Sequence, residues 1–309
     1  MPSTNPSSSQ APSGILVIDK PAGPTSHEIV LALRRRLGIS RIGHTGTLDP
    51  FASGLLIFCI GKATRLSQFL QAENKRYRGT IRFGFSTDTH DLTGRPTSDT
   101  ILPCLDHKKI IELFDSFLGE TLQVPPMFSA KKIGGKKLYV EARKGLEIPR
   151  EPARIRIYEL KALEIRNDEA DFETHCSVGT YIRTLANDMG EKLGCGAHLS
   201  KLRRIGIGDI RESHAVSMEE IHASKNPREK IIPLEGIPLG FPKILLTEAE
   251  EKSIENGVAV FRDASPTESA LPHESKVCLY GQRGFVAIAS LRLLDKGFHL
   301  KPEIVFHES

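Results

Sequence analysis

The order of apolar and polar residues along the chain predicts a mixture of helices and strands. An unbroken apolar run at 55–60, between Gly54 and Gly61, has the length and composition of a strand that is buried on both faces. At 77–85, apolar residues alternate with arginine and threonine, which is typical of a strand with one buried face. Apolar residues at helical spacing within 25–37 predict an amphipathic helix.

Polar residues indicate where two predicted helices begin. Thr25 and Glu28 have the spacing of a capping box, in which each side chain bonds the backbone of the other residue. Thr180 is the predicted N-cap of a second helix, which holds Tyr181 and Arg183 in its first turn. Because this turn follows directly on a predicted strand, where clefts commonly form, its side chains are candidate site residues.

Composition predicts four parts along the chain. Residues 1–13, rich in serine, proline, asparagine and threonine, are an expected disordered tail. Residues 14–242 contain the long helices and strands and form the expected main domain. Within it, 124–152 is bracketed by prolines and rich in lysine, so we interpret it as an insertion. Residues 243–309 contain short strands separated by turns, which is typical of a small β barrel.

The overall composition is that of a globular protein without disulfide bonds. Hydrophobic residues make up 39% and charged residues 26% of the 309 positions, enough for a sizeable core. The five cysteines are odd in number and form no Cys-x-x-Cys pair, which argues against a disulfide framework and a zinc site. Neither a membrane-spanning apolar run nor a secretion signal is visible, so we expect a cytoplasmic protein. We also expect a monomer.

One segment contains several residues that favour a tight loop and a single carboxylate: Gly43-His44-Thr45-Gly46-Thr47-Leu48-Asp49-Pro50. Its glycines permit positive φ, its threonines can bond neighbouring backbone, and Pro50 disfavours helix at Asp49. The segment leads directly into the apolar run, so Asp49 lies on a shaped loop at the edge of a core strand. From the residues alone, Asp49 either closes a turn or acts chemically, and both interpretations stay open.

This octet, with Ala52, Gly54 and Leu55 after it, resembles the signature motif of the TruB family of tRNA pseudouridine synthases. The resemblance implies that Asp49 is the catalytic nucleophile and that His44 helps to hold the target uridine out of its RNA stack. It also implies an α+β fold, with a bent, largely antiparallel sheet around a central cleft and a small C-terminal PUA-like β-barrel domain. Residues 14–242 then form the catalytic domain, and 243–309 the PUA-like RNA-binding domain.

Two earlier positions resemble other parts of the family site. The turn that starts at Lys20 resembles the first family motif, in which the lysine supports the catalytic loop; an ordinary turn at a helix entry is the alternative. Tyr77 stands in a Lys-x-Tyr context like that of the family tyrosine that stacks on the uracil, as aromatic rings do with splayed-out bases. An ordinary core tyrosine produces the same pattern.

Two later segments complete the expected site. The segment around Tyr181 resembles the third family motif, which implies that Tyr181 packs beside the base and that Arg183 pairs with Asp49. The alternative for Arg183 is an arginine on a helix surface. Leu202 lies in a stretch that resembles a family segment near the site.

The insertion at 124–152 has two interpretations. A lysine-rich loop is most often a solvated surface. The insertion also resembles the mobile thumb with which the family clasps RNA, and a contact with phosphates suits its lysines. The resemblance therefore assigns RNA binding to Lys131, Lys132, Lys136 and Lys137.

Acidic residues at 88 and 91 raise the separate question of a metal ion. Asp88 and Asp91 lie in a Gly- and Thr-rich loop, but the loop has no convincing set of further ligands. Turns in which each carboxylate bonds nearby backbone explain the two residues better. We therefore expect no metal and no organic cofactor.

The family reaction breaks the N1 to C1′ bond of a uridine, turns the uracil and joins C5 to the same sugar carbon. It requires an ionised carboxylate, a water-poor pocket and a cation that holds the carboxylate charged. The resemblance implies that uridine 55 in the T loop of tRNA is the substrate, that the base is flipped, and that a tRNA-folding chaperone role accompanies the reaction.

Two alternatives remain open. A guide-RNA-dependent relative shares the Asp49 motif but generally lacks the insertion, so we expect no guide RNA. A non-catalytic RNA-binding protein or chaperone is the alternative from another class, which an intact Asp49 and Arg183 disfavour.

Overall fold

The computed structural model describes residues 12–101, 105–129, 131–142, 144–263 and 271–306, and only the backbone of Lys132 and Lys137. Residues 1–11 of the predicted tail lie outside this description. The chain forms two compact units. The larger unit comprises Leu16–Phe58 and Ser67–Lys230, and the smaller unit comprises Met1–Ile15, Cys59–Leu66 and Ile231–Ser309.

The elements up to residue 233 are thirteen strands and six α-helices within the described residues. The strands are β1 (Gly14–Lys20), β2 (Ile42–His44), β3 (Ser53–Ile60), β4 (Lys75–Phe83), β5 (Gly119–Gln123), β6 (Lys132–Ile133), β7 (Lys136–Lys137), β8 (Ala153–Arg166), β9 (Glu169–Cys176), β10 (Ala197–Ile207), β11 (Ile210–Arg211), β12 (Val216–Ser217) and β13 (Ile232–Pro233). The helices are α1 (Ser26–Leu37), α2 (Ser67–Ala72), α3 (His107–Asp115), α4 (Leu138–Ala142), α5 (Ile182–Leu193) and α6 (Met218–Ala223).

The main sheet has the strand order β12-β1-β3-β10-β4-β9-β8-β5. Its β10–β4, β4–β9, β9–β8 and β8–β5 pairings are antiparallel, whereas β1–β12 and β3–β10 are parallel. Helix α3 packs on β8 and α5 on β10, over a core that includes Phe83, Phe114 and Phe172. The sheet is therefore largely antiparallel, as predicted.

Local sequence signals located most of these elements. The predicted core strand is β3, whose residues from Gly54 onward are all buried. The capping box at the start of α1 is present, with Thr25 accepting from the Glu28 amide and Glu28 accepting from the Thr25 amide. The predicted alternation at 77–85 corresponds to β4, which ends at Phe83.

The predicted cap of α5 was wrong. The N-cap is Tyr181, and Thr180 instead donates its hydroxyl hydrogen to the Ser177 carbonyl at 2.9 Å. The buried Gln123 side chain accepts from the Tyr181 amide at 2.8 Å and donates to the Tyr181 carbonyl at 3.1 Å. This contact from β5 sets the start of the helix one residue later than the local pattern suggests.

The insertion contains a small hairpin and a short helix. Strands β6 and β7 pair across Gly134 and Gly135, whose φ values of 57° and 80° suit glycine. Helix α4 follows at once. Helix α4 is tied to the chain before the hairpin, because the Tyr139 amide donates to the Ser129 carbonyl at 3.1 Å.

The smaller unit contains a second sheet, of the order β14-β16-β17-β18-β15. Its elements are β14 (Lys243–Leu245), α7 (Glu248–Glu255), β15 (Val260–Asp263), β16 (Ser275–Gly281), β17 (Gly284–Leu294) and β18 (Gly297–Val305). Arg262 on β15 donates to the Leu245 carbonyl on β14 at 2.5 Å and pairs with Glu250 on α7 at 2.7 Å. Arg262 therefore links the two end strands of a half-barrel sheet, which is consistent with the predicted PUA-like domain.

Within the described residues, no helix combines the length and the apolar character that crossing a membrane requires.

Candidate functional site

The loop between β2 and β3 is fixed on both sides of Asp49. The buried Ser26 hydroxyl, on the first turn of α1, accepts from the Leu48 amide and donates to the Leu48 carbonyl, both at 3.0 Å. The Thr45 amide donates to the Ile57 carbonyl of β3 at 3.0 Å. These bonds satisfy backbone groups at the buried Leu48 and Thr45 and tie the loop to α1 and β3 on the N-terminal side of Asp49.

Lys20 supports the residue that follows Asp49. Its ammonium group is fully buried and donates to the carbonyls of Pro21 at 2.8 Å, Pro24 at 2.9 Å and Pro50 at 3.3 Å. Burial lowers the pKa of Lys20 to about 8, although the nearby Asp49 carboxylate opposes this shift. These contacts connect the turn at Lys20 to the loop that holds Asp49.

Asp49 is paired with Arg183. The guanidinium approaches with two nitrogens, Nε at 2.8 Å from Oδ2 and Nη2 at 3.4 Å from Oδ1. Burial raises the pKa of the Asp49 carboxyl above its ordinary value, the Arg183 guanidinium opposes that rise, and the Asp91 carboxylate adds to it. The fork of a guanidinium on a carboxylate fixes its orientation as well as its charge.

Arg183 also holds three groups besides Asp49. Its Nη1 lies 3.5 Å from Asp91 Oδ2 and donates to the Thr89 carbonyl at 2.9 Å, and its Nη2 donates to the Phe128 carbonyl at 2.8 Å. The residue is 5% exposed and lies in the first turn of α5, where a cation meets the positive end of the helix dipole. Two carboxylates offset this unfavourable placement, so the position of Arg183 is a feature of the site.

Asp91 is a member of this network that the sequence interpretation did not include. Its Oδ1 accepts from the Thr93 amide at 2.9 Å and from the hydroxyls of Thr89 and Thr93 at 2.7 and 2.6 Å. These are the predicted turn contacts, and they leave Oδ2 facing Arg183. A carboxylate with 6% side-chain exposure needs such partners.

Asp49 and Arg183 face a cleft of about 570 Å³. Tyr77, Tyr181, Leu202 and His44 line it as well, so the structure brings these predicted site residues together. Tyr77 is nearly buried, and Leu202 lies on the neighbouring strand β10. Nδ1 of His44 accepts from the Gly46 amide at 3.4 Å, and burial lowers the pKa of His44.

A second cavity of about 720 Å³ shares part of this wall. It is also lined by Asp49, Arg183 and His44, and further by Phe128 and Tyr139 of the insertion. The carboxylate of Asp49 therefore borders two adjoining spaces.

The insertion lysines lie elsewhere. Lys131 and Lys136 are exposed and line neither cavity, and the side chains of Lys132 and Lys137 lie outside the description. Among the described side chains of the insertion, those that reach the cavities are Phe128, Ser129 and Tyr139. The structure thus does not place Lys131 or Lys136 in the cleft itself.

Arg204 is a cleft residue that the sequence interpretation missed. It is 3% exposed and donates from Nε to the Leu55 carbonyl at 2.7 Å and from Nη2 to the Gly46 carbonyl at 3.3 Å. The alternation of side chains along a strand could have identified it. Arg203, the residue before it, points outward to Asp19 and Glu212. Two adjacent arginines on one buried strand must face opposite sides.

In the described parts of the chain, no group of three or more His, Cys, Asp or Glu residues is arranged to hold a metal ion. Asp88 and Asp91 both take part in turns, since Asp88 Oδ1 accepts from the Arg95 amide at 2.8 Å.

Two family models match the chain in succession. The model of the N-terminal domain of the TruB family pseudouridylate synthases matches residues 34–182. The model of the C-terminal domain of tRNA pseudouridylate synthase B matches residues 183–237. These ranges include Asp49, Tyr77 and Arg183, whereas Lys20 precedes them.

Curated relatives match most of the chain. The tRNA pseudouridine synthase B of Alkaliphilus oremlandii is 40% identical over 91% of this chain and 94% of its own length. The protein of the same name from Aquifex aeolicus is 41% identical over 90% of this chain and 96% of its own. The one from Yersinia pestis strain Pestoides F is 37% identical, covering 90% and 88%.

Solved structures share the fold. A chain of a Cbf5-Nop10-Gar1 complex superposes with a TM-score of 0.72 at 26% identity, covering 95% of this chain and 85% of that one. A chain of an H/ACA RNP bound to a substrate RNA containing 2'-deoxyuridine gives 0.72 at 24% identity, covering 96% and 85%. The predicted fold class is thereby confirmed.

Proposed function

The chain belongs to the TruB family of pseudouridylate synthases, and we propose that it converts uridine 55 in the T loop of tRNA to pseudouridine, with Asp49 as nucleophile. The contact that carries this proposal is the fork of Arg183 on the Asp49 carboxylate at the wall of the cleft. The curated relatives named tRNA pseudouridine synthase B support tRNA as the substrate.

The residues of the cleft suit an isomerisation without an external reactant. Breaking the N1 to C1′ bond leaves its electron pair on the uracil, and rejoining at C5 releases the C5 proton while N1 gains one. Asp49 supplies the nucleophile and Arg183 keeps it ionised. Tyr77, Tyr181 and Leu202 flank the base and exclude water, so the loose uracil is retained.

Access to the base requires that the uridine leave its stack. Extrusion of one nucleotide costs a few kcal/mol, which contacts with the protein must offset. We assign His44 to the vacated space in the RNA, because it borders both cavities beside Asp49. Its lowered pKa favours a neutral ring, which suits stacking among bases.

The rest of the chain serves RNA binding in this proposal. Residues 14–242 form the catalytic domain, with Lys20 supporting its loop, and 243–309 form the PUA-like RNA-binding domain. Lys131, Lys132, Lys136 and Lys137 of the insertion contact phosphates outside the cleft. Because the insertion supplies a clasp of the protein's own, neither a guide RNA nor a partner protein is required. A tRNA-folding chaperone role can accompany these contacts.

A T-arm hairpin tests the proposal. A transcript that contains only the T stem and loop should be converted at the uridine of position 55 by the purified chain alone, as mapped at single-nucleotide resolution. Asp49→Asn should form no pseudouridine while its Kd for the hairpin stays within about threefold of the wild-type value, because only the charge is removed.

The contrary outcomes are distinct. Conversion of full-length tRNA but not of the hairpin would place recognition in the tRNA elbow. A reaction that starts only after a guide RNA and partner proteins are added would favour the guide-dependent alternative. Turnover by Asp49→Asn near the wild-type rate would remove Asp49 from the mechanism.

A further inference from the structure

Arg204 lies where three strands of the main sheet meet. On β10 it is the register partner of Tyr77 on the antiparallel neighbour β4 and of Gly54 on the parallel neighbour β3. The ladder between β10 and β4 shifts by one residue directly after it, between Arg204 and Gly206. A bulge of this kind re-aims a side chain, and it often lies beside a functional site.

The position of the Arg204 backbone depends on Gly54. Gly54 has a φ of 101°, and a Cβ on it would lie 2.2 Å from the carbonyl oxygen and 2.8 Å from the amide nitrogen of Arg204. Only glycine allows β3 to approach β10 so closely. The two strands therefore hold the Arg204 backbone at a fixed place beside the loop that carries Asp49.

The Arg204 side chain then connects three parts of the site. It bonds the Leu55 carbonyl of β3 and the Gly46 carbonyl of the loop, and its guanidinium faces the hydroxyl of its register partner Tyr77 on β4. A guanidinium presents its donors in one rigid plane. The relative positions of the loop, of β3 and of the Tyr77 hydroxyl are consequently fixed by one group.

Arg204 and Arg183 differ in the groups that surround their positive charges. Arg183 contacts two carboxylates, whereas no carboxylate among the described residues lies within 4 Å of the Arg204 guanidinium. The neighbours of Arg204 are carbonyl oxygens and a phenol. Its charge therefore has no close counter-charge among those residues, and although burial raises the pKa of Tyr77, the charge of its register partner Arg204 lowers it.

The contact with Tyr77 has a fixed polarity. A guanidinium has donors but no acceptor, so the phenol can face Arg204 only with its oxygen. The hydrogen of the phenol must then point away from Arg204. Since Tyr77 lines the cleft, it is available to donate to a group bound there.

We propose that Arg204 is a positioning residue for the isomerisation: it holds the Tyr77 hydroxyl in place relative to Asp49 and presents the phenol as a hydrogen-bond donor to the uracil. The inference rests on the proposed function. When the N1 to C1′ bond breaks, the electron pair stays on the uracil, and a donor next to a cation stabilises that charge until C5 joins C1′.

Fluorine NMR tests the contact without any RNA. The chain has five tyrosines, so replacement by 3-fluorotyrosine gives few resonances, and Tyr77→Phe identifies the one that belongs to Tyr77. Arg204→Met should shift this resonance and raise the pH at which it titrates. Arg204 lowers the pKa of Tyr77, whereas burial, Cys176 on β9 and Asp49 on the loop raise it.

The conservative variant and a matched control make the test specific. Arg204→Lys keeps the charge but removes the fork, so its titration should fall between those of the wild type and Arg204→Met. Arg36→Lys is the control, because Arg36 also donates from Nε to a carbonyl, that of Ile221 at 3.1 Å, but lines neither cavity. It should leave the Tyr77 resonance unchanged.

Kinetics supply the second measurement. In single turnover on the T-arm hairpin, Arg204→Lys should lower the rate about 10- to 100-fold with Kd changed less than about threefold, and Arg36→Lys should change neither. An unmoved Tyr77 resonance, or a rise in Kd as large as the fall in rate, overturns the inference. If the wild-type chain modifies no RNA, the proposed function fails, whereas the fluorine spectrum still reports whether Arg204 bonds Tyr77.

Discussion

The charges around Asp49 act on its carboxyl in opposite directions. Burial and Asp91 raise its pKa, and Arg183 lowers it. The nucleophile must be ionised, so the pH below which activity disappears follows this pKa. Replacing Arg183 or Asp91 by an uncharged residue should therefore move the pH at which activity is lost, and the two replacements should move it in opposite directions.

Arg183→Met removes the cation that opposes the raised pKa of Asp49. The pKa should rise further, so the acid limb of the single-turnover rate should move to higher pH. At neutral pH the rate should fall by about 100-fold or more, which is typical of removing a preorganised electrostatic interaction. A Kd that rises as much as the rate falls would make Arg183 an RNA contact instead.

Asp91→Asn should shift the same limb the other way. Removing the Asp91 charge takes away one cause that raises the pKa of Asp49, so the carboxyl should stay ionised to lower pH. The amide keeps an oxygen for the Thr93 amide, so the loop is preserved. A limb that moves upward, as for Arg183→Met, would mean that Asp91 acts by orienting Arg183.

At the level of elements, the junction of β3 with β10 leaves no room for a side chain at Gly54. Gly54→Ala places a Cβ 2.2 Å from the Arg204 carbonyl and forces a positive φ on alanine. The free energy of unfolding should fall by at least about 2 kcal/mol. In urea unfolding, Gly43→Ala is the control, because a Cβ at Gly43 meets nothing within 4 Å. Equal decreases for both variants would contradict the close approach.

The insertion is expected to act through charge. Replacing Lys131, Lys132, Lys136 and Lys137 by glutamine should weaken RNA binding and flatten its dependence on salt, by about 0.7–0.9 in slope for each phosphate that is no longer neutralised. The control is an equal change of charge at exposed lysines outside the insertion: Lys108, Lys109, Lys225 and Lys230. An unchanged slope would make the insertion lysines a solvated surface.

Elements whose signals are local could be predicted from the sequence. The Thr25 and Glu28 box and the buried strand β3 depend on residues that are close in the chain. The start of α5 could not, because Gln123, 58 residues earlier, bonds the Tyr181 backbone. Two-residue strands such as β11 also have no local signal, since they exist only by pairing with another strand.

In the candidate site too, residues within sequence motifs could be predicted, whereas residues placed by distant contacts could not. Motif resemblance supplied Asp49, Arg183 and Tyr77, which the fold brings to one cleft. It did not supply Asp91 or Arg204, whose contacts depend on how separate loops and strands meet. The sequence predicted the turn contacts of Asp91, and these are present. It did not predict that the second carboxylate oxygen would face Arg183.

For the molecule as a whole, the proposed reaction requires neither a metal nor a nucleotide. The isomerisation is redox-neutral, and Asp49 with Arg183 supplies the nucleophile and its counter-charge within one chain. Dialysis against EDTA should therefore leave the rate on the T-arm hairpin unchanged, provided that monovalent salt keeps the hairpin folded. A fall in activity that one particular divalent ion reverses would contradict this.

The bond between Arg183 and the Phe128 carbonyl has a mechanical consequence. The same Nη2 that bonds this carbonyl at 2.8 Å lies 3.4 Å from Asp49, and the guanidinium is a rigid plane. Any displacement of the backbone at the base of the insertion must therefore turn this plane and change the angle at which Nε meets the carboxylate. A displacement of the insertion backbone at Phe128 is thus passed to the Asp49 carboxylate through the Arg183 side chain.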